Sequence, residues 1–356
     1  MVSVQQPLPR LRDRAAESAA LPRSRADHRA LAIAAGLAGL LGALLVAAPA
    51  PAPLSTSQQK ILVDGQPTFL TGVSLFDALG SAPPRDADLD ALGPWGVNTV
   101  RVWAHWHTPV YQSDGALTAD GRLRLLALAG RLQSRSLILE LVVLRPGQLP
   151  GQPFAVFASE AARLKAVEAI TEALRPFRNV LFDLYNEHDH PDGPISHAAA
   201  RALRDRVKAI DPSRLVTISS TESHVISAAG TIDENGDRNL RDEAGSGPGA
   251  VAVDIVAPHF PRTDSWASAT ADRIKAVRAA LEGIGSHAPI YLNEERRADR
   301  GVRIAPRTYS SARAAAATAG AAGWVFHTSA GFELGKSAFL DALSPDERAG
   351  LQRLRR

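Results

Sequence analysis

The sequence predicts an α/β protein, a (β/α)8 TIM barrel preceded by a short hairpin and, before that, a hydrophobic export segment. Three observations lead there. Eight short apolar, β-branched segments alternate with stretches of helical periodicity between residues 70 and 327. Two of those segments close on a glutamate, Glu187 and Glu294, which puts both carboxylates at the carboxyl ends of buried strands, where parallel α/β folds gather their functional groups. No glycine-rich nucleotide turn follows any segment, so an open doubly wound sheet is the weaker choice.

Taken in order, the chain begins with residues 1–29, which carry six arginines against three acidic residues. That excess equals the whole net charge of +3, so the rest of the chain is balanced. Residues 30–48 form a nearly continuous run of Ala, Leu, Gly, Ile and Val, with no charged residue until Lys60. The run is long enough to span a bilayer, and the arginines before it predict a cytoplasmic amino terminus and an extracytoplasmic body, periplasmic or secreted. Val46-Ala47-Ala48 offers small residues for signal-peptide cleavage. Pro49, Pro51 and Pro53 crowd the sites just after each candidate alanine, which favours an uncleaved anchor tethering the chain to the inner membrane. Residues 49–59 read as a Pro/Ser linker, and residues 60–356 as one domain of sufficient length to bury a full core.

Ile61 to Leu70 contains two extended pieces about Asp64-Gly65, the signature of a small hairpin. The strands expected after it are Leu70–Ser74, Thr99–Ala104, Leu137–Leu144, Val180–Asn186, Leu215–Ser220, Val253–His259, Ile290–Glu294 and Gly323–His327. Helices are expected over Gly121–Ser134, Ser159–Leu174, Ala198–Ile210, Ala267–Glu282 and Ser310–Ala319. Asp233-Glu234-Asn235-Gly236-Asp237 hints at calcium, but its glycine falls in the wrong place for an EF-hand, and a polar turn is expected there.

Composition removes several functions. Without cysteine, disulfides, thiolate zinc sites and cysteine nucleophiles are all excluded. A charge-balanced body with no basic stretch interleaved with aromatics offers nothing to nucleic acid.

What remains is carboxylate chemistry. Two carboxylates facing one another are the minimum apparatus for cleaving a glycosidic bond. Along the chain, in order, come Leu70-Thr71-Gly72-Val73-Ser74 after a hairpin, Gly96-Val97-Asn98-Thr99-Val100-Arg101, Asn186-Glu187, Pro289-Ile290-Tyr291-Leu292-Asn293-Glu294 and Gly323-Trp324-Val325-Phe326. From about residue 61 onwards this series resembles the cellulase-like glycoside hydrolases of clan A, family 5 in the broad sense. The resemblance implies a retaining glycosidase acting on a β-linked oligo- or polysaccharide without a cofactor. It gives Glu187 the role of general acid and then base, and Glu294 that of nucleophile. Arg101 would lie beneath the nucleophile and keep it ionised, Asn186 would bond the sugar 2-hydroxyl, and Trp324 would lie under the sugar. His259 matches the histidine that ends the sixth strand. Glu295 is expected to point away and pair with Arg296, Arg297 or another surface arginine.

The chain also departs from that pattern. His188 follows Asn186-Glu187 where proline is usual, the third strand ends in Arg145-Pro146 without a histidine, and His259-Phe260-Pro261-Arg262 lacks the sixth-strand tyrosine. Arg145 and Arg262 could instead reach acidic sugars. His105-Trp106-His107 has the spacing of a metal pair, with His188, Asp189, His190 and Asp192 as further ligands, but the pair stands on the wrong strand for an amidohydrolase and no lysine ends the fourth. No metal is therefore assigned, and His105, Trp106 and Trp103 are read as sugar-facing, with core packing of either tryptophan an equal alternative. A carbohydrate-binding barrel without hydrolysis is the rival, and a metal-dependent amidohydrolase-like enzyme the more distant one.

Overall fold

The computed structural model describes residues 53–147, 157–298 and 302–355. The basic segment 1–29, the hydrophobic segment 30–48 and the start of the Pro/Ser stretch lie outside the described residues. No helix among the described residues is long and apolar enough to cross a membrane.

Strands β1 (Ser55–Ser57), β2 (Lys60–Val63) and β3 (Gln66–Pro67) form a three-stranded antiparallel sheet. Asp64 and Gly65 turn β2 into β3 with φ of 51° and 75°, the backbone of the tight hairpin turn that Asp-Gly adopts with least strain. The expected hairpin is present and is larger than expected. Ser55–Ser57, assigned from sequence to the linker, pairs with Lys60–Leu62 across a second tight turn at Gln58 and Gln59, both at positive φ.

A seven-stranded parallel sheet follows, with spatial order β11-β12-β4-β5-β6-β7-β8. Its members are β4 (Leu70–Ser74), β5 (Thr99–Trp103), β6 (Ile138–Leu144), β7 (Val180–Tyr185), β8 (Val216–Thr217), β11 (Tyr291–Leu292) and β12 (Gly323–Phe326). Beyond β8 the chain skips Ile218 and continues as β9 (Ser219–Ser220), which pairs in parallel with β10 (Ala257–Pro258). A parallel bridge from Val256 to Ile290 then leads to β11. The ladder thus runs through eight strand positions and returns to β4, an arrangement consistent with a (β/α)8 barrel. The fifth, sixth and seventh strands are shorter than their apolar runs suggested, because pairing there is reduced to two-residue ladders.

Helices α1 (Asp86–Leu92), α2 (Ala119–Gln133), α3 (Glu160–Leu174), α4 (His197–Ile210), α5 (Glu234–Ala244), α6 (Trp266–Gly283) and α7 (Pro306–Thr318) fall between the strands. Their starts are written in the sequence: Thr118, Ser159, Ser196 and Asp233 each accept a hydrogen bond from a backbone N–H three residues on, satisfying a group the helix leaves open. Asp233 corrects the polar turn expected at 233–237, since it caps α5. That helix escapes a periodicity search because Leu240 is its only buried large apolar residue.

Two apolar regions flank the strands. Outward-facing Val100, Val102, Leu139, Leu141, Phe182 and Leu184 join the main core with residues of the helices. Inside, Leu70, Ile138, Leu181, Leu215, Ile255 and Tyr291, near the strand beginnings, make a floor sealed by Leu54 and Ile61 of the amino-terminal sheet.

Candidate active site

Above that floor the interior becomes ionic. Arg101, central on β5 and fully buried, is surrounded by three carboxylates: Nε lies 2.9 Å from Glu140 Oε1, Nη2 2.8 Å from Asp183 Oδ2 and Nη1 2.7 Å from Glu294 Oε2. Nη2 also donates to Asn186 Oδ1 at 2.7 Å. A buried guanidinium is tolerable only when so paired. Burial would lower its pKa, and the surrounding carboxylates hold it above its ordinary value instead. Three anions around one permanent cation leave negative charge in excess. Burial accordingly pushes Glu140 up to about 7 against the pull of Arg101, while Glu140 accepts hydrogen bonds from Tyr291 Oη at 2.6 Å and Asn293 Nδ2 at 2.8 Å.

Glu294 stands at the mouth of this network. Burial alone would raise its pKa, yet neighbouring His327, His259, Arg101 and Arg262 hold it well below the usual carboxylate range. Burial keeps His327 itself far below its own ordinary value, so Arg101 and Arg262 supply the permanent positive charge beside Glu294. Arg297 Nη1 lies 2.7 Å from His327 Nε2. Arginine can only donate, so that ring nitrogen is an acceptor and cannot also donate to Glu294 Oε1 at 3.5 Å. The fourth contact was not anticipated in this form: Pro261 stands where the resemblance led to a tyrosine, and the next residue, Arg262, places Nη2 2.9 Å from Glu294 Oε1 and Nε 3.2 Å from Glu222.

Glu187 follows β7 with φ of 50°, a left-handed backbone that costs a non-glycine residue of order 1–3 kcal/mol and concentrates at functional sites. Its N–H donates to Ser219 Oγ at 3.2 Å. His259, buried after β10, lies between the two glutamates, Nδ1 3.2 Å from Glu187 Oε1 and Nε2 3.9 Å from Glu294 Oε2. Oxygens of Glu187 and Glu294 and a nitrogen of His259 all fall within 4.8 Å of one another. Because Asn186 gives its oxygen to Arg101, its amide nitrogen is left for a ligand, and Asn186 borders the cleft.

That cleft has a volume of about 560 Å³ and is lined by Glu187, Glu294 and Asn186, by an aromatic wall of Phe76, Trp103, Trp106 and Phe332, and by Arg145, Arg262 and Arg297. Phe76 stacks on Trp103 with ring centroids 3.7 Å apart, and Arg145 lies over Trp106 at 5.0 Å. Burial lowers Arg145 to about 10.

Of the residues singled out in the sequence, Glu187, Glu294, Asn186 and Trp106 therefore meet at the cleft, with Arg101 and His259 buried beneath it. Arg101 and His259 touch the carboxylates rather than open space, so they position the site instead of binding substrate directly. Two residues are elsewhere. Trp324 is fully buried in the core between strands and helices, where alternation along β12 directs it outward, and it does not line the cleft. His105 is buried with Nδ1 2.5 Å from Tyr111 Oη, a structural bond that also removes it from the His-x-His metal pair, whose other member, His107, faces Asp77 at 3.4 Å. Glu295 is buried as well, and has no ion pair within 4 Å among the described residues; Arg296 pairs with Asp264 instead. Burial raises Glu295 to about 7. Arg262, read from the sequence as able to reach acidic sugars, borders the cleft and pairs with Glu294; sequence reading missed Arg297, His327, Phe76 and Phe332. Only His327 carried a signal, as the last residue of the eighth apolar segment.

No protein-family model matches the sequence, and no curated protein matches it. Solved structures do share its fold. An exo-beta-1,4-mannosidase from an Opitutaceae bacterium has a TM-score of 0.56 at 19% identity, covering 73% of this chain, which in turn spans only 52% of that protein. A glycoside hydrolase family 5 protein from Bacteroides vulgatus gives a TM-score of 0.60 at 13% identity, covering 85% of this chain and 70% of its own. For the endo-1,4-beta-mannanase of Eisenia fetida the TM-score is 0.58 at 13% identity, with 86% and 95% covered. Identities this low speak to fold.

Proposed function

We propose that this chain is a retaining glycoside hydrolase acting on a β-linked glycan, built on a closed (β/α)8 barrel, exported, and tethered to the membrane by residues 30–48. The observation that carries the reading is the pair Glu187 and Glu294, with oxygens within 4.8 Å of each other in an open cleft walled by tryptophans. Retention uses carboxyl groups about 5–5.5 Å apart, so that one can attack carbon directly, whereas inversion leaves several ångströms more for a water. Supporting it are the different surroundings of the two groups. Glu294, held ionised by Arg101 and Arg262, suits a nucleophile; Glu187, bonded to His259 and bordering the cleft, suits the proton donor to the leaving oxygen and later the base for water. Asn186 would offer its amide to the 2-hydroxyl, and the aromatic wall would stack on pyranose faces.

Because the mannosidase and mannanase above share its fold, β-1,4-mannosides head the substrate panel. The experiment is incubation of the full chain with aryl β-glycosides and β-glycans, product chromatography, and peptide mapping after labelling with a fluorinated glycoside. Label on Glu294 is expected, absent from Glu294→Gln and retained in Glu187→Gln with a good leaving group. Label on Glu295, or an active enzyme that never labels, would overturn the assignment.

Arg262 favours a second reading. A carboxylate with a guanidinium on each oxygen is a weakened nucleophile, which fits a barrel that binds carbohydrate without cutting it. Saturable binding of a β-glycan with no product after prolonged incubation would select that alternative.

A further inference from the structure

Outside the cleft, the loops after β7 and β9 bring together a cluster that the proposed chemistry does not use. We propose that His188, His197, His224 and Glu243 form a closed four-ligand site for a divalent transition-metal ion, zinc in the first instance.

One ligand atom from each of the four lies within 4.8 Å of all the others. His188 Nε2 is 3.0 Å and His224 Nε2 3.6 Å from Glu243 Oε1. A tetrahedral zinc ion with bonds of about 2.0–2.1 Å needs its ligand atoms about 3.3 Å apart, so the two measured separations bracket the required value. Nε2 of His197 and Nε2 of His224, the nitrogens opposite Asp242 and Asp189, are buried with no hydrogen-bond partner among the described residues.

A second layer points the same way. His224 Nδ1 lies 2.9 Å from Asp189 Oδ2, and His197 Nδ1 3.6 Å from Asp242 Oδ2. Asp189 is itself fixed by Thr221, through the backbone N–H at 2.7 Å and through the hydroxyl. Carboxylates behind imidazoles set the tautomer that turns the opposite lone pair towards a metal, as they do in metal sites generally. Three neutral imidazoles and one carboxylate give a divalent cation one negative ligand, with Asp189 and Asp242 adding negative charge behind the imidazoles, and nitrogen with oxygen ligands suits zinc in a chain that has no cysteine. None of the four residues lines the cleft. With every tetrahedral position taken by protein, the ion would be structural.

Its mechanical effect follows from where the ligands sit. His188 adjoins Glu187, His197 opens α4, His224 is in the loop after β9, and Glu243 is near the end of α5. The ion would cross-link four segments and brace the left-handed backbone at Glu187. The cluster stayed hidden in the sequence because its members are spread over residues 188 to 243 without a recognised spacing. The local group seen there dissolves: of His188, Asp189, His190 and Asp192, His188 alone is a ligand, Asp189 stands behind His224, and His190 and Asp192 border the cleft.

The full chain, stripped with a chelator and dialysed, should take up about one equivalent of Zn(II) and show the visible absorption of tetrahedral Co(II) when cobalt replaces it. Zinc should raise its melting temperature. His197→Ala and His224→Ala should lose the equivalent, the cobalt spectrum and the thermal shift, and Asp189→Asn should weaken zinc binding about 10–100-fold. Wild-type chain that binds neither ion stoichiometrically would overturn the proposal without recourse to any variant, as would histidine variants that bind both ions like the wild type.

Discussion

The floor of the barrel and the ionic layer above it are built by the same strands, two residues apart, and are equally buried. On β6 the step is from Ile138 to Glu140, on β7 from Leu181 to Asp183, and after β11 begins at Tyr291 it is to Asn293. Alternation returns both members of each pair to the interior, so one turn of the pleat separates a hydrocarbon plug from an ion cluster. Burial therefore does not distinguish the stabilising half of the interior from the functional half. Pairing does: the floor needs only shape, whereas every group in the mouth depends on a partner of opposite charge or a hydrogen bond.

The sharpest way to break that contrast is to remove the common partner. Arg101→Ala would leave Glu140 and Asp183 buried without their cation, a loss of about 3–5 kcal/mol, and would leave Glu294 with Arg262 as its remaining guanidinium and easier to protonate. Glycoside turnover should vanish and the denaturation midpoint should fall. A variant that melts and turns over like the wild type would mean that the network holds nothing. Ile61→Ala is the matching cut in the floor: a cavity under the barrel at a cost of about 2–5 kcal/mol. Its folded molecules should keep full activity, because Ile61 packs in the floor cluster and does not line the cleft. Loss of kcat there would show that the two halves are not separable.

Proton linkage sharpens the same comparison, since the floor contributes none. Glu140 and Glu295 titrate near 7 in the folded chain against about 4.3 when unfolded. Between those values the folded state keeps protons that the unfolded state has released, so stability should fall as pH rises from about 4.3 to 7 and level off above, by at most roughly 4 kcal/mol per group. Glu294, depressed by its guanidinium neighbours, has the opposite sign; its contribution is present above about 4.3 and lost in acid. Melting curves from pH 4 to 9 should show a maximum on the acid side of neutrality, and Glu295→Gln should flatten the decline towards pH 8. A steady rise in stability from pH 5 to 8 would contradict the raised values of both groups.

How much of this was legible in the sequence follows from which forces left a local trace. The strands and main helices are readable because apolar periodicity and capping residues such as Thr118 and Ser159 are local. Leu70–Ser74 was placed to the residue. Glu187, Glu294, Arg101 and Asn186 were found from strand ends and the family resemblance together, and they do converge. What failed was direction and partnership. Trp324 was assigned to a sugar although its strand continues through Phe326, which turns it outward; pairing after Tyr291 stops at Leu292, so alternation could not choose between Glu294 and Glu295. Arg262, Phe332, His188 and His224 lie on loops and His197 at the first position of a helix, where nothing periodic announces which distant residue a side chain will meet.

The smallest expected effect separates two tryptophans that the sequence treated alike. Trp106 lines the cleft, packs against Phe76 at 4.6 Å and donates Nε1–H to Phe332 O at 3.0 Å, so its ring is held rigid as part of the wall. Stacking on a sugar face by such a ring is of the order of an aromatic contact, about 0.5–1.5 kcal/mol. Trp106→Phe should therefore raise KM several-fold for a substrate long enough to reach it while leaving kcat close to wild type. Trp324→Phe should do the reverse of what its sequence position suggested. Buried between β12 and the helices, it should lower the melting temperature through lost packing and leave KM unchanged. If KM instead rose in Trp324→Phe and not in Trp106→Phe, the wall of the mouth would have been drawn on the wrong face of the strands.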